Sequence, residues 1–323
     1  MKTVALLIFN EVVPSSITGV VDLLTGANKY MERAGQPMAF CLEMVSQSLD
    51  TLHLAFPNQQ IGHKTFQHAG HPDLIIVPSF SVGNMEPVIV QNMAAINWLE
   101  EMHTSGSEIA SLCVGSYFLA EAGLLDGKEV TSHWAAADDI QKRYPRIKMK
   151  SDLVITDQDG IYTSGGAFSS LKLVLYLIEK FCGRETALWI SKMYAIEMDR
   201  TSQAHFAVFM GQHRHDDKEI LKAQEYIEQN YKNEIAMEDV SSLINMGQRN
   251  FIRRFKAATN NTPFEYLQRV RIESAKKAIE MNHKYLPLIM EDTGYTDLKA
   301  FRTIFKRITG LSPMEYKKKY ARS

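Results

Sequence analysis

Apolar and polar positions change their rhythm twice along this chain of 323 residues. Up to about residue 196, short continuous apolar runs alternate with longer stretches of helical period. "TVALLIF" (3–9) precedes a helical stretch from about Ser16 to Ala34. "FCLEMVS" and "DLIIVPS" are further strand candidates, the second followed by the helix pattern "EPVIVQNMAAINWLEEMH". "EIASLC" and its helix come next, then "VITDQDGIYTS" and the amphipathic run "FSSLKLVLYLIEKFCG". Buried strands alternating with helices predict an α/β sandwich with a mainly parallel sheet. The pattern is lost over 197–217, which reads as a linker, and beyond Asp217 every segment reads helical.

Within the helical part the sequence repeats with a period of 50. Phe251, Phe255-Lys256, Thr259, Pro263 and Glu265-Tyr266 recur as Phe301, Phe305-Lys306, Thr309, Pro313 and Glu315-Tyr316. Each copy reads as a short helix, a turn and a second helix: "MEDVSSLI", "NMG", "QRNFIRRFKAAT", then "LPLIMEDT", "GYT", "DLKAFRTIFKRIT". Phenylalanines at i and i+4 place one face of each second helix in a core. The other face carries Arg249, Asn250 and Arg253 in one copy, and Lys299, Arg302, Thr303 and Lys306 in the next. Such a helix in the major groove brings Arg and Lys to guanine O6 and N7. The helix between the copies would be roughly 28 Å long at 1.5 Å per residue. One DNA turn is about 34 Å, so two recognition helices can enter successive grooves.

Charge sharpens the division. Residues 216–323 hold 20 Lys+Arg against 15 Asp+Glu, and the remainder 16 against 22. Only the C-terminal part is expected to meet a polyanion. Three scattered cysteines (Cys41, Cys113, Cys182) and no CxxC pair indicate a reducing compartment and no structural zinc. His213 and His215 beside Asp216 and Asp217 could ligate a metal, but a polar linker is the simpler account. No apolar run reaches the roughly 20 residues of a membrane span. The first residues read as a buried strand, not a signal peptide, so a cytoplasmic protein without metal or cofactor is expected.

In "SLCVGSYFLA" (111–120) a strand turns at once into a helix, which leaves Cys113 above the sheet edge at a helix N-terminus. Unpaired N–H groups there favour a thiolate, the geometry of a nucleophile elbow. A small buried apolar residue is the plainer reading.

Two resemblances narrow the choice. "GYTDLKAFRTIFKRITGLSPMEY" resembles the C-terminal signature of the AraC/XylS regulators, over about 218–320. It implies a DNA-binding domain with Arg249, Ile252 and Arg253 near bases, and Leu298, Lys299, Arg302 and Thr303 in the second motif. Residues 3–196 resemble the PfpI-like branch of the class I glutamine amidotransferase superfamily, which is flavodoxin-like. The matching pieces are "SLCVGSYFLAEAGLLDGKEVTSHW" and "YTSGGA". A PfpI-like domain fused to an AraC-type domain, with His133-Trp134, is typical of the GlxA-like regulators. In enzymatic relatives a cysteine works with a histidine, a carboxylate and glycine-rich backbone. This chain has Val114 after the cysteine, Ser16 at the carboxylate position, and Ser79-Phe80 in place of glycines.

The expectation is therefore a one-component transcription regulator, not an enzyme. Residues 1–196 sense an effector, 197–217 link, and 218–323 bind double-stranded promoter DNA. Ser16, Phe80, Cys113, Val114, His133 and Trp134 are expected to form the effector pocket, Cys113 and His133 being a relict elbow. The resemblance further implies activation through RNA polymerase, a homodimer, and a small nitrogen-containing metabolite as effector. The rivals are a PfpI-type cysteine hydrolase or amidase carrying a DNA-binding domain, and a redox sensor in which Cys113 is oxidised.

Overall fold

A computed structural model describes residues 1–49, 61–81, 85–281 and 285–321. The chain divides into two compact units, Met1–Gln203 and Ala204–Ser323.

The first unit is built on a seven-stranded sheet. Its strands are β1 (Lys2–Leu7), β2 (Phe40–Ser46), β3 (Gly62–Thr65), β4 (Leu74–Val77), β5 (Glu108–Ser111), β8 (Ile155–Gln158) and β9 (Ile161–Ser164). Two further short strands, β6 (Glu129–Val130) and β7 (Lys148–Met149), pair by themselves. The main order is β3-β2-β1-β4-β5-β9-β8. All neighbours are parallel except β8, which returns antiparallel to β9. The run read as one strand, "VITDQDGIYTS", is thus a hairpin. Its turn is Asp159-Gly160, both at positive φ, as a two-residue turn between right-twisted strands requires.

The β4 and β9 residues are buried throughout, as strands flanked on both sides within the sheet should be, whereas polar β3 (GHKT) lies at the sheet edge. Helices α1 (Pro14–Arg33), α6 (Leu171–Cys182) and α7 (Arg184–Met193) pack on one another as one layer. Helices α2 (Met85–Gln91), α3 (Met93–Thr104) and α4 (Ser116–Glu121) form another, and α5 (Ala137–Arg143) packs beside β7. The single helix expected over 86–103 is broken at Asn92, whose side-chain amide donates to the Val88 carbonyl at 2.8 Å.

The second unit is helical: α8 (Lys218–Asn230), α9 (Met237–Leu243), α10 (Gln248–Thr259), α11 (Pro263–Glu280), α12 (Leu286–Asp292), α13 (Leu298–Thr309) and α14 (Pro313–Tyr320). The pairs α9–α10 and α12–α13 are the two expected helix-turn-helix motifs. Each has its own core, one around Phe251, Phe255 and Tyr266, the other around Phe301, Phe305 and Tyr316. The repeat residues do the same work in both copies. Phe255 meets Tyr266 edge to face at 5.3 Å, and Phe305 meets Tyr316 at 5.4 Å. The Thr259 and Thr309 hydroxyls each donate to the carbonyl four residues back at 2.8 Å. Asn260 and Gly310 close the recognition helices in the left-handed region, φ 56° and 75°. Thr262 with Glu265, and Ser312 with Glu315, then start α11 and α14 as capping boxes, with proline in the first turn.

The segment expected as a linker, 197–217, is shared between the units. Gln203 is buried in the first, His205 in the second. The Asp217 carboxylate caps α8 and accepts from Nε and Nη2 of Arg254, at 2.9 and 2.6 Å, which holds its pKa below the usual carboxylate value. His213 sits 3.1 Å from Glu228, and His215 meets Gln224 at 2.9 Å. Among the described residues no three His, Cys, Asp or Glu side chains converge as a metal would need. No described helix is long and apolar enough to cross a membrane.

Candidate functional site

In open α/β sheets the crevice lies beyond the carboxyl ends of the strands, where strand order reverses. Here β1, with β2 on one side and β4 on the other, marks that reversal. A cavity of 320 Å³ is lined from the segments that follow four strands. Val13, Ser15 and Ser16 come after β1, Ser79–Ser81 after β4, Cys113 after β5, and Ala167, Phe168, Ser170 and Leu171 after β9, with His133 completing the wall.

Cys113 holds φ 57°, a left-handed backbone that a non-glycine residue adopts at a cost of about 1–3 kcal/mol. The turn is kept tight by Gly115, where a Cβ would lie 2.7 Å from the Val77 and Pro78 carbonyl oxygens. The Cys113 amide donates to Ser164 Oγ at 3.3 Å, and Ala167 N–H points at its sulfur from 3.5 Å. Its carbonyl accepts from the Ser116 and Ser132 hydroxyls, at 3.2 and 3.0 Å. The elbow expected from the sequence is formed, and the thiol is almost wholly enclosed, 4 % exposed.

What an attacking thiol needs is differently disposed. His133 Nδ1 accepts the Ala135 N–H at 3.0 Å, so the neutral ring carries its proton on Nε2 and donates from that side. Burial pushes the His133 pKa down, which favours this neutral form. Ser16 donates to the Val13 carbonyl at 2.7 Å and accepts the Ser79 N–H at 3.2 Å. It therefore ties the loop after β4 to the start of α1, and no carboxylate lines the cavity among the described residues. Phe80 is fully buried, its ring packed against Phe9, Tyr117 and Phe118.

Of the six pocket residues expected, Ser16, Phe80, Cys113 and His133 line the cavity. Val114 does not: it follows the elbow inward and is fully buried in the core. Trp134 does not either; it is half-buried with its ring tilted against His133, centroids 5.1 Å apart. Two residues escaped sequence reasoning. Gly166 lies so close to His133 that a Cβ would fall 2.1 Å from Cδ2. Gln203 Oε1 accepts the Gly166 N–H at 3.1 Å, and its Nε2 donates to the Ser132 carbonyl at 2.8 Å and the Ser151 carbonyl at 3.0 Å. "SGGA" hinted at the first. Nothing local marks a glutamine in a polar run as the clamp of a cavity wall.

Gly166→Ala is accordingly expected to destabilise the first unit by about 1–3 kcal/mol, the usual range for overpacking. Thermal unfolding checks it. In a His133→Ala background the same change should cost much less, because the clashing ring is gone.

The second candidate site is the outer surface of α10 and α13. Arg249, Asn250, Ile252, Arg253, Lys299, Arg302, Thr303 and Lys306 are all exposed, while Phe251, Phe255, Phe301 and Phe305 are fully buried. Arg253 donates to Asn250 Oδ1 at 2.9 Å, and Thr303 Oγ1 to the Lys299 carbonyl at 2.9 Å. Leu298 is half-buried and packs against the second core.

Comparison with known proteins agrees with this two-part organisation. The model of the DJ-1/PfpI family matches residues 2–180, and that of a helix-turn-helix domain matches residues 240–319. The HTH-type transcriptional regulator GbdR of Pseudomonas aeruginosa is 25 % identical over 68 % of the chain, and the match spans 60 % of that protein's length. The HTH-type transcriptional regulator GlxA of Rhizobium meliloti is 23 % identical over 67 % of the chain and 66 % of its own length. A crystal structure from Vibrio parahaemolyticus, provisionally described as a transcriptional regulator, superposes with a TM-score of 0.50 and 20 % identity. It covers 59 % of this chain and 98 % of its own, and shares the fold of the first unit.

Proposed function

We propose, on the premise that this chain belongs to the DJ-1/PfpI family and ends in an AraC-type helix-turn-helix domain, that it is a transcription regulator of the GlxA-like kind. Its first unit binds a small effector in the cavity beside Cys113, and α10 and α13 read promoter DNA. The observation that carries the reading is the repeated motif itself. Two helices, each with a buried phenylalanine face and an exposed basic face, recur at one fixed interval.

The cavity suits a ligand held by hydroxyls, the His133 Nε2–H and apolar contacts. No Lys, Arg, Asp or Glu lines it among the described residues. A fully charged group placed inside would lose its hydration without a counter-charge, at a cost of several kcal/mol. The effector is therefore uncharged, or keeps its charged group at the mouth beside exposed Phe168. Activation, a homodimer and contact with RNA polymerase belong to the same proposal and rest on likeness to the regulators named above.

The hydrolase rival fits the geometry less well. With Nδ1 engaged and Nε2 protonated, His133 has no lone pair to take the thiol proton, and Ser16 occupies the Ser79 N–H. The full chain is expected to show no turnover of amide or glyoxal-adduct substrates that Cys113→Ala abolishes. Thermal shift against a panel of uncharged and zwitterionic metabolites identifies the effector, since a ligand of the folded state raises the unfolding temperature. Cysteine-dependent turnover at ordinary enzyme rates would overturn this assignment.

The neutral His133 also sets a pH dependence. A histidine whose pKa is lowered on folding takes up a proton on unfolding, so stability is full above the ordinary value of 6.5 and falls below it. The first unit should lose unfolding temperature on acidification from pH 7 to 5.5, and His133→Gln should flatten that slope.

A further inference from the structure

The stretch from Ala204 to Asp217 contains no long helix, yet it is fastened along its whole length to the helical unit. At one end His205 is buried, its ring 6.3 Å from that of Tyr320, and Lys319 lies 5.7 Å from the Phe206 ring centre. Both partners belong to α14, which packs into the second core, and the stretch also borders α13. In the middle, the stretch crosses α11. The Lys276 ammonium donates to the Ala207 carbonyl at 2.5 Å and pairs with Glu273 at 2.7 Å; the same carboxylate accepts the Phe209 N–H at 3.1 Å. Glu273 and Lys276 are 8 % and 4 % exposed, so the pair is a buried one. At the other end Phe209 meets Tyr266 edge to face at 5.1 Å. Gln212 Oε1 accepts from Asn261 at 2.8 Å, and Asp217 holds Arg254 on α10 itself. These partners are α10, the turn after it, and the α11 residue that packs into the first core.

The two motifs have separate cores and share α11, beside which the turn at Gly294 approaches the Tyr231 and Lys232 carbonyls. Small sliding and rotation of packed helices are ordinary motions, and at α11 they would change where α10 and α13 point. Burying an ion pair is seldom worth its desolvation, and its best-attested use is to fix one arrangement among several. Here the Glu273–Lys276 pair joins helix to strap where neither is part of either core.

We propose that residues 204–217 are a splint, bound to both motifs and to the helix between them, that sets the spacing at which α10 and α13 meet DNA. This rests on the reading above that both helices read one duplex. Two modules bound through a geometry that fits gain about 10²–10⁴ in affinity over one, and lose it when the sites are moved out of reach. The full chain should therefore discriminate sharply between an operator selected from random DNA and the same operator with two or three base pairs inserted between its halves.

The test is the double variant His205→Ala/Phe209→Ala. Its effect is compared with that of Glu273→Gln/Lys276→Met, which removes both charges of the pair at little change of volume. Hydrogen exchange over residues 205–215 reports whether the strap has come free. Release is expected to cut the discrimination between the two operators by roughly tenfold or more, mainly through stronger binding to the lengthened one. If the strap exchanges freely and the discrimination stays complete, α11 and the contact at Gly294 hold the spacing without it, and the splint is refuted. If the unaltered protein binds both operators equally, two-groove reading fails, and the splint with it.

Discussion

Replacing Arg253 or Arg302 by alanine is expected to relax base preference at different halves of the operator, about one helical turn apart. Each side chain is exposed on the outer face of its recognition helix, directly opposite a fully buried phenylalanine pair. An arginine that reads guanine carries about 1–3 kcal/mol of discrimination, so preference at its own bases should fall by one to two orders of magnitude. Lys306 stands one turn further along α13, and a phosphate contact from it would behave differently. Its removal should weaken all sequences alike and lower the salt dependence of binding by about one unit of slope. Selection from random DNA, run on each variant, separates the cases. Preference lost at the same bases in both arginine variants, or in only one of them, would exclude reading by two grooves.

Phe305→Ala should have the largest effect on stability, and a local one. Its ring is fully buried between Phe301 and Tyr316, 5.7 and 5.4 Å away. Phe→Ala changes in cores typically cost about 3–5 kcal/mol, a large share of what so small a cluster can supply. Because the two cores are distinct, amide protection should be lost over α12–α14 while α8–α10 keep theirs. Phe255→Ala should give the mirror result. Uniform loss of protection across the whole helical unit in either variant would show that the motifs unfold as one.

The helical half was legible because each repeated residue answers a purely local demand. Phenylalanine at i and i+4 makes a buried stripe, threonine stitches a helix end, and Pro-x-Glu after Thr or Ser starts the next helix. Such demands are met within a few residues of the chain, so they leave a pattern in it. The central strands announced themselves in the same way, through unbroken apolar runs. Polar β3 did not, since an edge strand is held by its neighbour's hydrogen bonds and needs no apolar code. The site was legible only in outline. That the thiol stands on a turn follows from "SLCVGSY", but whether His133 takes or gives a proton depends on a bond to Ala135. Gln203 is further still from any local rule. Its amide is satisfied by groups 37–72 residues away, so it looked like part of a linker.

The strand order has a consequence for how the molecule assembles itself. β1 cannot be completed until β4, some seventy residues later, is in register beside it, with Val4 opposite Leu74. Loop-closure entropy must be met before those pairings give anything back, which makes parallel sheets slow to form. The helical unit closes mostly over neighbouring segments, and all-helical domains of low contact order fold in microseconds to milliseconds. On dilution from denaturant the helical unit, made after the sheet, should thus be native first. During synthesis the order is reversed: the sheet has the time of a further hundred-odd residues in which to find its register before the DNA-binding helices leave the ribosome.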